Sequence, residues 1–187
     1  MRRRDALAGI GSLGVLATGG AVALYGVPSF GDSNEDDADP AEPRTLDALS
    51  LDWYDEETVT VPEPGSVTVC KFFATWCRTC ASSLPDVTAA HEGAGDDVRF
   101  LSITSERVGP GGQVSLEQVE EWWDDHGGGE WPIAVDETVE LQIEHDIPGV
   151  PSTLIFDADG VVRYTDTGAT STETLLAEIE SARDVGT

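Results

Sequence analysis

Positive charge is what this sequence has least of. Lysine occurs once, at Lys71, and lysine and arginine together number 10 against 36 aspartates and glutamates, a formal net charge of −26. Nucleic-acid phosphates are bound by clusters of Lys and Arg, so nucleic acid is excluded as a partner. An anionic lipid surface would repel the acidic part of the chain. The acids are spread along the sequence and not gathered in one block. That distribution fits a surface suited to molar salt, where cations screen the self-repulsion, as in an extreme halophile. A surface that steers cations or repels acidic substrates is the other reading. Cysteine is also scarce, with 3 residues, of which two form a single C-x-x-C. Without a second C-x-x-C or a Cys/His pair, a tetrahedral zinc site has only half its ligands. His91, His126 and His145 each stand alone in the sequence.

What is present is organised around residues 66–80. Residues 67–74 are apolar on both faces, as a strand covered on both sides should be. A sharp turn follows, and then a helix. Cysteines at i and i+3 in a first helical turn lie about 5 Å apart between Cα atoms, inside the window a disulfide needs. The pair can open and close with little backbone movement. Unpaired N–H groups and the positive end of the helix dipole favour a thiolate at Cys77, and a lowered thiol pKa makes a cysteine nucleophilic near neutral pH. Cys80, one turn further in, is expected to be more buried and to attack second. A bare C-x-x-C also suits half a metal site or a structural disulfide; the strand–turn–helix context is the redox one. Cys70 lies in the strand itself and reads as a buried, inert thiol, or as one that pairs between molecules. Because strands alternate faces, Lys71 points the opposite way.

The segment Phe72-Phe73-Ala74-Thr75-Trp76-Cys77-Arg78-Thr79-Cys80 resembles the active-site segment of the thioredoxin superfamily. Trp76 occupies the position of that family's tryptophan, and Pro85 matches the proline that kinks its first active-site helix. Downstream, Gly149-Val150-Pro151-Ser152-Thr153 resembles the cis-proline loop. The resemblance covers residues 46–185 and is closest to the TlpA/ResA-like extracytoplasmic thiol–disulfide oxidoreductases. It implies an α/β protein of thioredoxin fold: a mixed central sheet sandwiched by helices, with a central helix–strand insert. It also implies that no organic cofactor or metal is required, and that Pro151 is cis and faces the cysteine pair. The backbone of Val150 would then bind a substrate strand. Trp76, Arg78 and Thr79 would support the site. Thr79 stands where family members often carry proline, and Arg78 is a nearby cation that favours the thiolate. Lys71 stands where thioredoxin has a buried acid. It either faces the space behind the pair, as a cation or as a proton acceptor for Cys80, or it reaches solvent or a carboxylate.

The chain divides into three parts. Residues 1–30 combine a basic start, Arg2-Arg3-Arg4, with an apolar run, the pattern of an export signal. The arginines resemble a twin-arginine signal, and the run is also long enough to anchor the chain if uncleaved. Residues 31–45 are an acidic, proline-containing linker expected to be disordered. Residues 46–187 are the folded domain. Within it, 46–51 and 58–61 read as edge strands, 78–91 as a helix bent at Pro85, and 98–104 as a strand. A flexible loop covers 105–113. A capped helix starts at Ser115 and is stopped by Gly127-Gly128-Gly129. A short strand (131–135) and a short helix (138–145) complete the insert. A hairpin over 153–164 and a last helix from Ser171 close the domain. Trp122, Trp123 and Trp131 either pack in the core or line a substrate groove.

These features predict a thiol–disulfide oxidoreductase that acts on protein thiols and disulfides through Cys77 and Cys80, with a membrane redox partner. The resemblance points to a reductant in cytochrome c maturation or similar assembly. A disulfide-forming oxidant is the alternative, and a non-catalytic copper or haem chaperone is the rival from another class. A single-cysteine peroxidase would place threonine three residues before its cysteine, where Ala74 stands.

Overall fold

The computed structural model describes residues 39–185. The export-signal and anchor readings for 1–30, and most of the linker reading, lie outside the described residues. Among those described, no helix is long and apolar enough to cross a membrane.

Seven strands form one mixed sheet in the order β2-β1-β5-β4-β3-β6-β7. Its centre is β3 (Val67–Phe73), in which all seven residues are buried. β3 lies parallel to β4 (Val98–Thr104) on one side and antiparallel to β6 (Ser152–Phe156) on the other. β5 (Ile133–Val135) continues the parallel part, and β7 (Val162–Thr167) pairs antiparallel with β6. The helices are α1 (Arg78–Ala94), α2 (Leu116–Asp125), α3 (Glu140–Glu144) and α4 (Thr172–Val185).

The alternation of β3 divides the interior into two layers. Val69 and Phe73 pack with Leu84, Val87 and Ala90 of α1, with Trp123 of α2, and with Leu175 and Ile179 of α4. Cys70 and Phe72 pack on the other face with Leu101, Ile103, Leu154, Phe156 and Leu141 of α3. Burying this much apolar surface on both sides of one strand is what makes β3 the organising element. Cys70 is fully buried, and burial pushes its thiol pKa well up, so it stays a neutral core residue.

β1 (Arg44–Ala48) departs from the expectation of an edge strand. It lies between β2 (Thr58–Val61) and β5, antiparallel to both, and only β2 is at the edge. Its signal is weak because alternate residues are only half-buried. The folded part also begins earlier than residue 46. Ala41 N–H donates to Gly160 O at 2.9 Å, and Arg44 forms ion pairs with Glu140 and Glu144 of α3.

The α2 N-terminus forms the expected capping box. Ser115 Oγ accepts from Gln118 N–H, and the Gln118 side chain accepts from Ser115 N–H. The glycines after α2 do more than stop it. A Cβ at Gly128 would run into the Trp123 indole, and one at Gly129 into that of Trp131. Trp123 and Trp131 meet edge to face at 5.3 Å in the core, and Trp122 stacks on Phe73 at 5.4 Å. Trp123 and Trp131 are therefore core residues, whereas Trp122 is half-buried.

Candidate active site

The turn after β3 delivers the two cysteines to the start of α1. Cys77 is the helix N-cap, in extended backbone geometry, and its Sγ accepts the backbone N–H of Cys80 at 3.1 Å. One of the orphan donors of the helix thus points at the sulfur that must carry negative charge when reduced. Cys77 and Cys80 form a disulfide, with Cα atoms 5.2 Å apart. Both are mostly buried, so the expected difference in burial between them is small in this disulfide form. Around them, Trp76 is 72% exposed and is the most exposed large apolar side chain among the described residues. Arg78 and Thr79 are exposed.

The Val150–Pro151 bond is cis, as the resemblance implied. A second cis bond, Val61–Pro62, was not foreseen. Pro151 is buried and Val150 half-buried. Pro151 O accepts from Gly168 N–H at 2.8 Å, and Ser152 Oγ donates to Gly149 O at 2.7 Å, which ties this loop to the end of β7.

Behind the pair lies a narrow cavity walled by Lys71, Phe73, Cys80, Ser83, Trp122 and Pro151, among others. Its free space, ≈ 10 Å³, is about what one water molecule occupies. Lys71 is only 5% exposed. Its Nζ donates to Thr153 Oγ1 at 2.7 Å. Burial lowers its pKa to about 8, against a smaller upward pull from the Asp166 carboxylate. The reading in which Lys71 reaches solvent is therefore replaced by the one in which it faces inward. A lysine stem is long enough to snorkel, but β3 is covered by helices on this face.

Glu106 was missed in the sequence because it sits in a glycine-rich stretch that read as a flexible loop. It is 8% exposed. Its Oε2 accepts the Thr75 backbone N–H at 2.6 Å and its Oε1 the Thr75 hydroxyl at 2.8 Å. Thr104 Oγ1 accepts Glu106 N–H at 3.2 Å. An acid two residues past the end of a central parallel strand is the signal that was available.

The histidines lie in different neighbourhoods. His91 packs on Phe100 and Trp131, His126 on Trp122, and His145 on Phe156. Among the described residues, no three His, Cys, Asp or Glu side chains converge as metal ligands.

A C-x-x-C at a helix N-terminus, sharing a cavity with a cis-proline loop beside a mixed sheet, defines a dithiol–disulfide protein of thioredoxin fold. The chain belongs to the redoxin family, whose model matches residues 43–185. Sporulation thiol-disulfide oxidoreductase A of Bacillus subtilis (strain 168) is 23% identical over 142 residues, covering 74% of this chain and 81% of its own. Two solved structures are similar in fold. The pneumococcal exposed lipoprotein thioredoxin Etrx1 from Streptococcus pneumoniae strain TIGR4 has a TM-score of 0.60 at 23% identity, covering 75% of this chain and 99% of its own. A thiol:disulfide interchange protein DsbE from Chlorobium tepidum has a TM-score of 0.58 at 18% identity, covering 78% of this chain and 96% of its own.

Proposed function

We propose that the protein is an extracytoplasmic thiol–disulfide oxidoreductase that reduces disulfides in other proteins during their assembly, as in cytochrome c maturation. The observation that carries the exchange reaction is the Cys77–Cys80 disulfide at the N-terminus of α1, with the Cys80 N–H on Cys77 Sγ. Cys77 thiolate attacks a target disulfide and forms a mixed disulfide. Cys80 then attacks Cys77 Sγ, closes the internal disulfide and releases the reduced target. Trp76 offers an apolar contact surface beside Cys77, and the Val150 backbone offers strand-type hydrogen bonds to an extended substrate. Arg78 supports the thiolate. The reductive direction and the extracytoplasmic location rest on the resemblance to the TlpA/ResA-like branch. A membrane redox partner would re-reduce the pair, and residues 1–30 would provide export or anchoring.

The test is trapping. Cys80→Ser should accumulate a mixed disulfide with target proteins through Cys77, and Cys77→Ser should not. Equal trapping by both variants would contradict the assignment of Cys77 as the attacking residue.

A further inference from the structure

The acids that dominate this chain stop short of the cysteine pair. Among the described residues, the three longest stretches without Asp or Glu run between Glu63 and Asp86, between Glu106 and Glu117, and between Asp146 and Asp157. The first carries Trp76, Cys77, Arg78 and Cys80, and the third carries the Val150–Pro151 loop. Cys80 and Pro151 line one cavity. The second stretch is tied to the first by Glu106, whose carboxylate holds Thr75. All three therefore meet at the redox end of the sheet. Buried strand accounts for part of this, since β3 and β6 lie within the first and third stretches. It does not account for the exposed positions. Arg78, Thr79 and Ser82 on α1, and Arg107, Pro110 and Gln113 in the loop after β4, are exposed, and none is acidic. Glu106 itself is buried, with both oxygens engaged.

Positive charge stands there instead. Of the arginines among the described residues, Arg44, Arg163 and Arg183 are held in ion pairs. Arg99 borders a cavity with Glu92, Asp96 and Glu130. Arg78 and Arg107 have no ion pair among the described residues. They flank the cysteine-bearing turn, Arg78 directly after Cys77 and Arg107 directly after the residue that holds Thr75. The Arg107 backbone is fixed: its N–H donates to Gln113 Oε1 at 3.0 Å, and its carbonyl accepts from Gln113 N–H at 2.8 Å. Its side chain is left to meet a partner.

We infer that Arg78 and Arg107 dock carboxylates beside the target's cysteine, so that the protein selects acidic segments as substrates. The inference rests on the exchange reaction proposed above and names the substrate class of that site. Guanidinium groups suit the task, because their planar forks bind carboxylates through two parallel hydrogen bonds. Over longer distances the rest of the surface opposes this, since a net charge of −26 repels an acidic target in dilute salt. In about 1 M salt the reach of charge falls to about 3 Å. Distant acids then no longer count, and pairs in contact remain. An acid-free neighbourhood also favours the Cys77 thiolate. Arg107 comes from a different strand's loop, and recognition of a target explains its place.

Two peptides separate recognition from chemistry. Each carries one cysteine as its 2-thiopyridyl mixed disulfide, flanked by glutamates in one peptide and by glutamines in the other. Reduced protein is mixed with each in about 1 M salt, and the released thiopyridone is followed. The glutamate peptide should react about two- to fivefold faster at limiting concentration, the scale of an exposed charge pair. Arg107→Gln should about halve that preference, and Arg107→Glu should abolish it. Both variants should match wild type with uncharged 2,2′-dipyridyl disulfide, because Arg107 is exposed and takes no part in the chemistry. Arg78→Gln should lower the preference and also slow both peptides, since Arg78 supports the thiolate. Equal rates for the two peptides in wild type, or an unchanged preference in Arg107→Glu, would overturn the inference. Slower reaction of Arg107→Gln with dipyridyl disulfide would assign Arg107 to the thiolate and overturn its docking role. Failure of Cys80 to release a peptide already joined to Cys77 would remove the exchange reading itself, and this inference with it.

Discussion

Glu106 holds Thr75 with both carboxylate oxygens, one on the backbone N–H at 2.6 Å and one on the hydroxyl at 2.8 Å. Thr75 lies two residues before Cys77, in the turn that leads from β3 into α1. The carboxylate therefore anchors the turn that aims the attacking sulfur, and it does so from the loop after the neighbouring parallel strand β4.

Glu106→Ala leaves the Thr75 N–H without its acceptor in a part-buried site. A destabilisation of about 1–3 kcal/mol is expected, measured by urea unfolding in high salt. Glu106→Gln keeps one acceptor oxygen and should cost less. An alanine variant as stable as wild type would show that the turn does not depend on this contact.

Trp76 should matter to protein substrates and hardly at all to the fold. At 72% exposure it contributes little packing, so Trp76→Ala should change stability by about 0.5 kcal/mol or less. KM for a protein disulfide should rise several-fold, with the rate on a small disulfide such as oxidised glutathione nearly unchanged. Equal loss on both substrates would assign Trp76 to the chemistry and not to docking.

Lys71 makes a signed prediction about pH. Its folded pKa, about 8, is below the ordinary lysine value of 10.5. Between these values the unfolded chain binds a proton that the folded protein does not, so stability gains with rising pH. The gain attributable to Lys71 is about 3 kcal/mol, present in full above pH 10.5 and absent below pH 8. Cys70 works the other way above its unfolded pKa, because its folded pKa is raised. The comparison is therefore the difference between wild type and Lys71→Met, in which Cys70 cancels. That difference should move in favour of wild type from pH 8 to 10.5, by chemical denaturation; a flat difference would contradict the buried, desolvated lysine.

The net charge of −26 predicts that salt stabilises the protein. Screening of like charges shortens their reach from about 10 Å at 0.1 M to about 3 Å at 1 M. The thermal midpoint should climb steadily over that range and beyond it. A midpoint that falls with added salt would contradict a surface suited to molar salt.

Much of the fold was legible because its signals are local. The all-apolar β3, the capping box at Ser115 and the 98–104 strand each declare themselves within a few residues. The Cys77–Cys80 pair and Pro151 were legible from the motifs around them. What was hidden depends on pairing between distant segments. β1 gave no sign of lying between β2 and β5, since half-burial of alternate residues suits an edge equally well. Strand alternation set Lys71 opposite Cys70 but left its surroundings open, and its contact with Thr153 needs the pairing of β3 with β6. Glu106 was read as part of a loop because its role comes from Thr75, 31 residues away in sequence.

The most direct test of the central claim is the reduction potential of the Cys77–Cys80 couple, by equilibration with glutathione or dithiothreitol in high salt. A single reversible two-electron transition, lost in Cys77→Ser and near about −270 mV, is the result expected of a reductant. A reversible value near about −120 mV would keep the exchange chemistry and reverse its direction, making the protein an oxidant. No reversible two-electron couple would contradict the account at its centre.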